Sequence, residues 1–315
     1  MSNIELRKVL GDSLLEIMEK DSRIVVLNAD LCKAGGLQDI QKEFPSRAFN
    51  VGVAEANMVT IAAGMASYGY IPFVSSFSPF ATRRVCDQLA ISVCYAQLPV
   101  KIIGTDPGIS AELNGGTHMG VEDIGVIRSL NTMVIYEPVD ALQLKQAIPQ
   151  IIEHDGPVYI RLHRKTVDDV FGDDYKFDLF SADVIKEGKD VTIFASGLMV
   201  QESIEALKLL SDKNIDAELI NVHTIKPIDV DTIVRSAKKT GCVVTCENHS
   251  TIGGLYSAIA ETLSREYPCP MAAIGMDNCF GEVGYIPYLK ERFKMRKEDI
   301  AMACENIIKR KEVLV

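Results

Sequence analysis

Glu55 follows a short apolar run and opens an alanine-rich amphipathic stretch, EANMVTIAAGMAS. A lone carboxylate at such a place has an ordinary use, as a favourable charge in the first turn of a helix. The residues after it suggest more. Phe73, Phe77 and Phe80 crowd one segment with small residues between them. Phe77 and Phe80 lie three apart, so a single turn presents both rings to the same cavity, although rings at this spacing also serve as plain core. His118 stands in GGTH ahead of the helical pattern GVEDIGVIR, which it would cap if its role were structural. His154, His163, His223 and His249 have weaker claims, and His249 in CENHSTIGG reads as structural or interfacial.

Positioning these groups falls to apolar runs that alternate with amphipathic stretches. Strands are expected at 24–27, 71–74, 100–103, 133–136 and 158–162, and helices at 9–19, 56–68, 80–95, 122–130 and 141–153. Apolar strands alternating with helices give a parallel sheet covered on both faces. The rhythm breaks over 166–190, rich in charge and turn formers, then resumes with strands at 191–195, 217–221, 243–247 and 271–274 and further helices. The expected fold is α/β, two doubly wound domains at residues 1–170 and 190–315, joined by a linker at 171–189.

Composition narrows the function classes. Hydrophobic residues make up 47% and charged residues 24% of 315, ordinary for a chain that buries its own core. The 33 basic and 43 acidic residues leave a net charge of −10, which disfavours nucleic acid and anionic membrane as partners. No apolar run approaches the length of a membrane span, and the N-terminus lacks the features of a signal peptide. The eight cysteines are scattered, with neither zinc spacing nor disulfide density, so a reduced, cytoplasmic chain is expected. Neither GxGxxG after a strand nor GxxxxGK[ST] occurs.

The ordered set of motifs goes further. A glutamate in GVAEANM is followed by AAGMASYG, an IPF strand and SFSPFA; then come Asp87–Gln88, Pro99–Val100, GGTH, Glu122–Asp123, Pro138, Asp140 and GPVYIRL. This order resembles the pyrimidine-binding domain of transketolases, and the later domain resembles that family's C-terminal domain. The resemblance implies thiamine diphosphate. It makes Glu55 the group that hydrogen-bonds the cofactor's pyrimidine nitrogen and shares its proton, tuning a base that the cofactor itself carries. Phenylalanines around that carboxylate would disfavour its charge and promote sharing. Phe77 and Phe80 would pack the aminopyrimidine, Asp30 in LNADL would lie near the thiazolium, and Arg83 would join the cofactor set. His118 would contact substrate and move protons on its hydroxyls. Arg7, Asp106 and Asn114 fall on substrate positions.

The family's diphosphate and magnesium motif, beginning GDG, does not occur in this sequence, so no metal ligand is assigned to it. The resemblance therefore implies a split enzyme. A partner chain would carry the diphosphate domain and its magnesium ion, the assembly would be an α2β2 heterotetramer, and this chain would be active only with that partner. Its reaction would be transfer of a two-carbon ketol unit from a ketose to an aldose. The substrate positions depart from the usual pattern, with Ala56 for a glutamine, Asp106 for a histidine, Asn114 for an aspartate, and Ala34 and Glu137 for a serine and an arginine. Asp106 and Glu137 would repel phosphate if they faced the channel. The sugar tail is then uncharged, a sulfonate, or held by other cations such as Lys33 or Arg83. Three alternatives stay open: a 2-oxo acid dehydrogenase β-type subunit, a related synthase that condenses pyruvate with glyceraldehyde phosphate, and a non-catalytic assembly subunit.

Overall fold

The computed structural model describes residues 4–314. Its first half runs α1 (Leu6–Met18), β1 (Ile24–Asn28), α2 (Gln38–Glu43), β2 (Ala48–Asn50), α3 (Glu55–Ser67), β3 (Ile71–Phe77), α4 (Ser78–Ala81), α5 (Cys86–Gln88), β4 (Lys101–Thr105), α6 (Asp123–Arg128), β5 (Val134–Tyr136), α7 (Ala141–Glu153) and β6 (Val158–Leu162). The second half runs β7 (Asp183–Lys186), β8 (Val191–Ala195), α8 (Leu198–Ser211), β9 (Ala217–Asn221), β10 (Thr224–Lys226), α9 (Val230–Thr240), β11 (Val243–Ser250), α10 (Leu255–Glu266), β12 (Met271–Met276), α11 (Ile286–Arg292) and α12 (Lys297–Leu314).

Strands β1, β4 and β6 are buried along their whole length, and β3 up to its last residue. Runs this apolar cannot leave one face in water, so helices cover both. One layer packs Leu10 and Leu14 of α1 and Ile148 of α7 against Val26, Phe73 and Ile160. The opposite layer packs Met58 and Ala62 of α3 against Val74 and Ile102, and continues into Ile225, Ile233 and Ile259 of the second half. The first sheet has the order β10-β5-β6-β4-β3-β1-β2 and the second β12-β11-β8-β9-β7. Neighbours are parallel except β10 on β5 and β7 on β9. The two α/β domains are therefore laced together, because β10 leaves the second half of the chain to form an edge of the first sheet.

Two expectations change. The stretch 171–189, read as a linker, contains β7, an edge strand on the second sheet; Phe177 is buried, and Phe171 stacks on Tyr175 at 3.8 Å. Its charges masked the few apolar residues that dock it. The single helix expected over 80–95 is broken. Thr82 is non-helical (φ −127, ψ −83), and its Oγ1 donates to the Ser78 carbonyl at 2.6 Å, the local bond by which threonine competes with helix. A 3-10 turn (Arg83–Val85), α5 and a π-helical segment (Leu89–Tyr95) follow. Strands β2 and β10 and helix α11 were too short for a periodic signal.

Candidate active site

Ligands of open parallel sheets bind outside the carboxyl ends of the strands. In the β1–β3 pair Asn28 lies opposite Ser75, which brings Asp30 and Phe77 to the same edge. Asp30 is exposed, with φ at 60°, and is held by Asn50, whose Nδ2 donates to Asp30 Oδ1 at 3.1 Å. Helix α3 begins at the neighbouring loop. Glu55 is its first residue and is 3% exposed.

The surroundings of Glu55 differ from the expectation of phenylalanine walls alone. Its Oε1 accepts from Arg84 Nη1 at 2.9 Å and from Ser76 Oγ at 3.3 Å. Its Oε2 accepts no hydrogen bond from the described residues. The Arg84 guanidinium also lies over the Phe80 ring, 3.8 Å from its centroid. Arg83, the expected cofactor residue, is exposed and turns instead to Glu122. Two adjacent arginines are visible in the sequence; both are exposed in the fold, and the second of them reaches Glu55.

Phe77, Phe80 and His118 form one aromatic cluster. The two phenylalanine rings meet edge to face at 6.1 Å, and the imidazole lies 5.4 Å from Phe77 and 5.2 Å from Phe80. Thr117 Oγ1 lies 2.9 Å from His118 Nδ1. His118 does not cap α6, whose flanking residue is Glu122 and which has no side-chain cap.

A second group of charges adjoins Phe77. The Arg164 guanidinium lies 5.7 Å from the Phe77 centroid, and its Nε is 2.9 Å from Asp106 Oδ1. The contact is electrostatic rather than directional, since neither Asp106 oxygen accepts a well-aligned hydrogen bond. Asp106 is fully buried with φ at 54°. Burial pushes its carboxyl up to about 6, against the opposing pull of Arg164, Lys165 and Arg7. Asp106 therefore lies beneath the surface, its charge countered by arginine. Half-buried Arg7 donates from Nε to Glu5 at 2.8 Å and from Nη1 to the Ala34 carbonyl at 3.4 Å, and its backbone N–H donates to the Arg164 carbonyl at 3.2 Å. Lys165 pairs with Glu112. Asn114 ends a 3-10 turn (Gly108–Asn114) and is exposed, as is Lys33. Arg164 escaped the sequence reading, although GPVYIRLHRK carries it next to the last motif used.

Glu137 does not face this region. It is buried at the domain boundary, accepting from Arg161 Nη1 at 2.6 Å and from Ser196 Oγ at 2.8 Å. Arg161 also donates to Asp123 and to the Asn248 carbonyl. His249 is likewise buried between the domains, accepting from Gly125 N–H at 3.3 Å, and burial holds its imidazole down at about 4.

Residues 2–169 match the transketolase pyrimidine-binding domain, and residues 181–300 the transketolase C-terminal domain. The chain belongs to the transketolase family. It is 51% identical over 306 residues, 97% of this chain and 95% of that protein, to the 6-deoxy-6-sulfo-D-fructose transketolase subunit SqwH of Clostridium sp. (strain MSTE9). It is 36% identical over 274 residues, 87% of this chain and 88% of that protein, to an apulose-4-phosphate transketolase subunit of Phocaeicola vulgatus. A solved split gene transketolase, described as an inactive beta4 tetramer, superposes with a TM-score of 0.89 at 40% identity, covering 98% of this chain and 99% of that one. This transketolase chain is accordingly one subunit of a two-chain enzyme, of a family that depends on thiamine diphosphate. The comparisons favour this over a 2-oxo acid dehydrogenase subunit. Among the described residues, no helix is long and apolar enough to cross a membrane.

Proposed function

We propose that this chain supplies the cofactor-activating half of a two-chain transketolase whose donor ketose carries a sulfonate tail. The observation that carries the first part is Glu55, buried at the strand ends beside the Phe77–Phe80–His118 cluster with one carboxylate oxygen free. That oxygen can carry a proton to share with the pyrimidine ring nitrogen, and edge-to-face rings fit a flat heterocycle. When bound there, thiamine diphosphate supplies an acidic thiazolium C2–H and an exocyclic amine able to take its proton. Glu55 holds or shares the proton at the pyrimidine nitrogen. Phe77 and Phe80 exclude water. Asp30, at the edge of β1, offsets positive charge on the thiazolium side. His118 moves protons on the substrate hydroxyls, and Asn114 hydrogen-bonds one of them. The partner chain would hold the diphosphate with its magnesium ion, in an α2β2 heterotetramer whose sites would lie between the subunits. The eight free cysteines support the reducing cytoplasm as its compartment.

The tail assignment rests on charge. A phosphate monoester carries about −1.5 to −2 at neutral pH, whereas a sulfonate carries a single charge. Arg164 offers a cation near Phe77, and Arg7 is bonded to the Arg164 backbone, but buried Asp106 counters Arg164 and Glu5 counters Arg7. Cations already matched by carboxylates suit a monoanion better than a dianion, in keeping with the substrate named for the relative from Clostridium. The test is reconstitution with the partner subunit, comparing kcat/KM for 6-deoxy-6-sulfo-D-fructose, fructose 6-phosphate and xylulose 5-phosphate. We expect the sulfonated ketose to lead by about tenfold or more, since charge mismatch at a paired site is worth at least ~1.4 kcal/mol. Equal efficiency on the phosphates would overturn the tail assignment. No transfer from any ketose would overturn the activity.

A further inference from the structure

The segment that carries Asp106, Asn114 and His118 is held from the second domain. Strand β11 ends in Asn248, His249 and Ser250, and all three grip it or the helix after it. The Asn248 side chain, 1% exposed, spends both ends of its amide on one turn. Its Oδ1 accepts from Ile109 N–H at 2.9 Å, and its Nδ2 donates to the Pro107 carbonyl at 3.0 Å. Two residues on, Ser250 N–H donates to the Val121 carbonyl at 2.7 Å. Both ends of the 107–121 segment are thus fixed to one strand terminus. Between them Glu112 accepts from Ile286 N–H at 3.2 Å, and a Cβ on Gly116 would lie 2.2 Å from the Gly281 carbonyl.

The pinned turn is also a tight one. Asp106 and Gly108 both have positive φ, 54° and 53°, and a Cβ on Gly108 would lie 2.2 Å from Asn248 Oδ1. A non-glycine residue in this conformation persists only where its surroundings enforce it. Asn248 is itself anchored, since its carbonyl accepts from Arg161 Nη2 at 2.7 Å.

We propose that Asn248 is a positioning residue for substrate: it clamps the Pro107–Ile109 turn and so sets where Asn114 and His118 stand. The proposal rests on reading His118 as a substrate group. It assigns the second domain a part in the sugar step and none in activating the cofactor, because the Asn248 amide bonds the Pro107–Ile109 turn, whereas Glu55 is bonded by Ser76 and Arg84.

The test uses Asn248→Ala and the near-isosteric Asn248→Asp in the enzyme reconstituted with its partner. Asp keeps an acceptor for Ile109 N–H and loses the donor to Pro107. Amide hydrogen exchange over 107–121 is expected to rise about tenfold, as released local structure opens more often. The ketose kcat/KM should fall about tenfold or more, while C2 hydrogen exchange of bound thiamine diphosphate stays within about twofold of wild type. General damage to the fold would lower both. Unchanged amide exchange in both variants, or C2 exchange falling in step with kcat/KM, would overturn the proposal. A wild-type enzyme with no C2 exchange would instead sink the role of Glu55 and leave amide exchange to decide the clamp.

Discussion

Arg84 donates to Glu55 Oε1 at 2.9 Å from a guanidinium that also lies over the Phe80 ring. One side chain thus joins the carboxylate expected to activate the cofactor to a ring expected to pack it. The pairing lies within a single chain and uses no residue of a partner.

Glu55→Gln keeps the shape of the side chain and removes its ability to exchange a proton. C2 hydrogen exchange of thiamine diphosphate in the reconstituted enzyme is expected to fall by about 10²–10⁴, the usual worth of a positioned acid–base group. His118→Ala should instead leave that exchange intact and lower ketol transfer by about 10² or more. Proton NMR of the quenched cofactor, with a coupled assay for transfer, separates the two.

Arg164→Ala removes a cation beside Phe77 and leaves buried Asp106 without its countercharge. KM for an anionic-tailed ketose should rise about tenfold to a hundredfold, the loss expected of a hydrogen bond to a charged group. An uncharged ketose should show little change. Initial rates on the two substrate classes decide it, and equal losses on both would remove Arg164 from tail recognition.

Arg161→Met strands two carboxylates, Asp123 and Glu137, in the interior between the domains. Breaking a buried pair from one side costs about 3–5 kcal/mol, so a large drop in the urea midpoint is expected. Glu137→Gln, which keeps a hydrogen-bond acceptor for Arg161, should cost less. Urea unfolding of the free chain measures both.

Asp106 gives a pH signature. Its carboxyl is raised to about 6 in the fold, above the unfolded value, so the folded state holds the proton longer. Its contribution to stability is present below about pH 4 and is lost as pH rises through about 6. Asp106→Asn should therefore be more stable than wild type above pH 6, by about 1–3 kcal/mol, with the difference closing near pH 4. Urea unfolding across that range checks the sign. A variant that is less stable at pH 7 would show that the Arg164 contact outweighs the burial of the charge.

Local sequence settled much of this protein. Continuous apolar runs alternating with amphipathic stretches are buried as covered parallel sheets, so the strands expected at 24–27, 71–74, 100–103 and 158–162 are present, the first three with shifted ends. The cluster of Phe77 and Phe80 followed from their spacing, because a turn brings such residues together whatever surrounds it. Other features depended on contacts between distant segments, which no periodic pattern encodes. Which of two adjacent arginines reaches Glu55 was set by the break at Thr82. Glu137 left the substrate region because Arg161 and Ser196, remote in sequence, offered it a buried partnership. Asp183–Lys186 became a strand only because β9 presented an open edge. The loop bearing His118 takes its position from Asn248, more than a hundred residues away. Sequence by itself determined the order of the main elements and the residue types they carry. Tertiary structure decided which of them meet, because a buried charge or amide takes whatever partner the folded chain brings within reach.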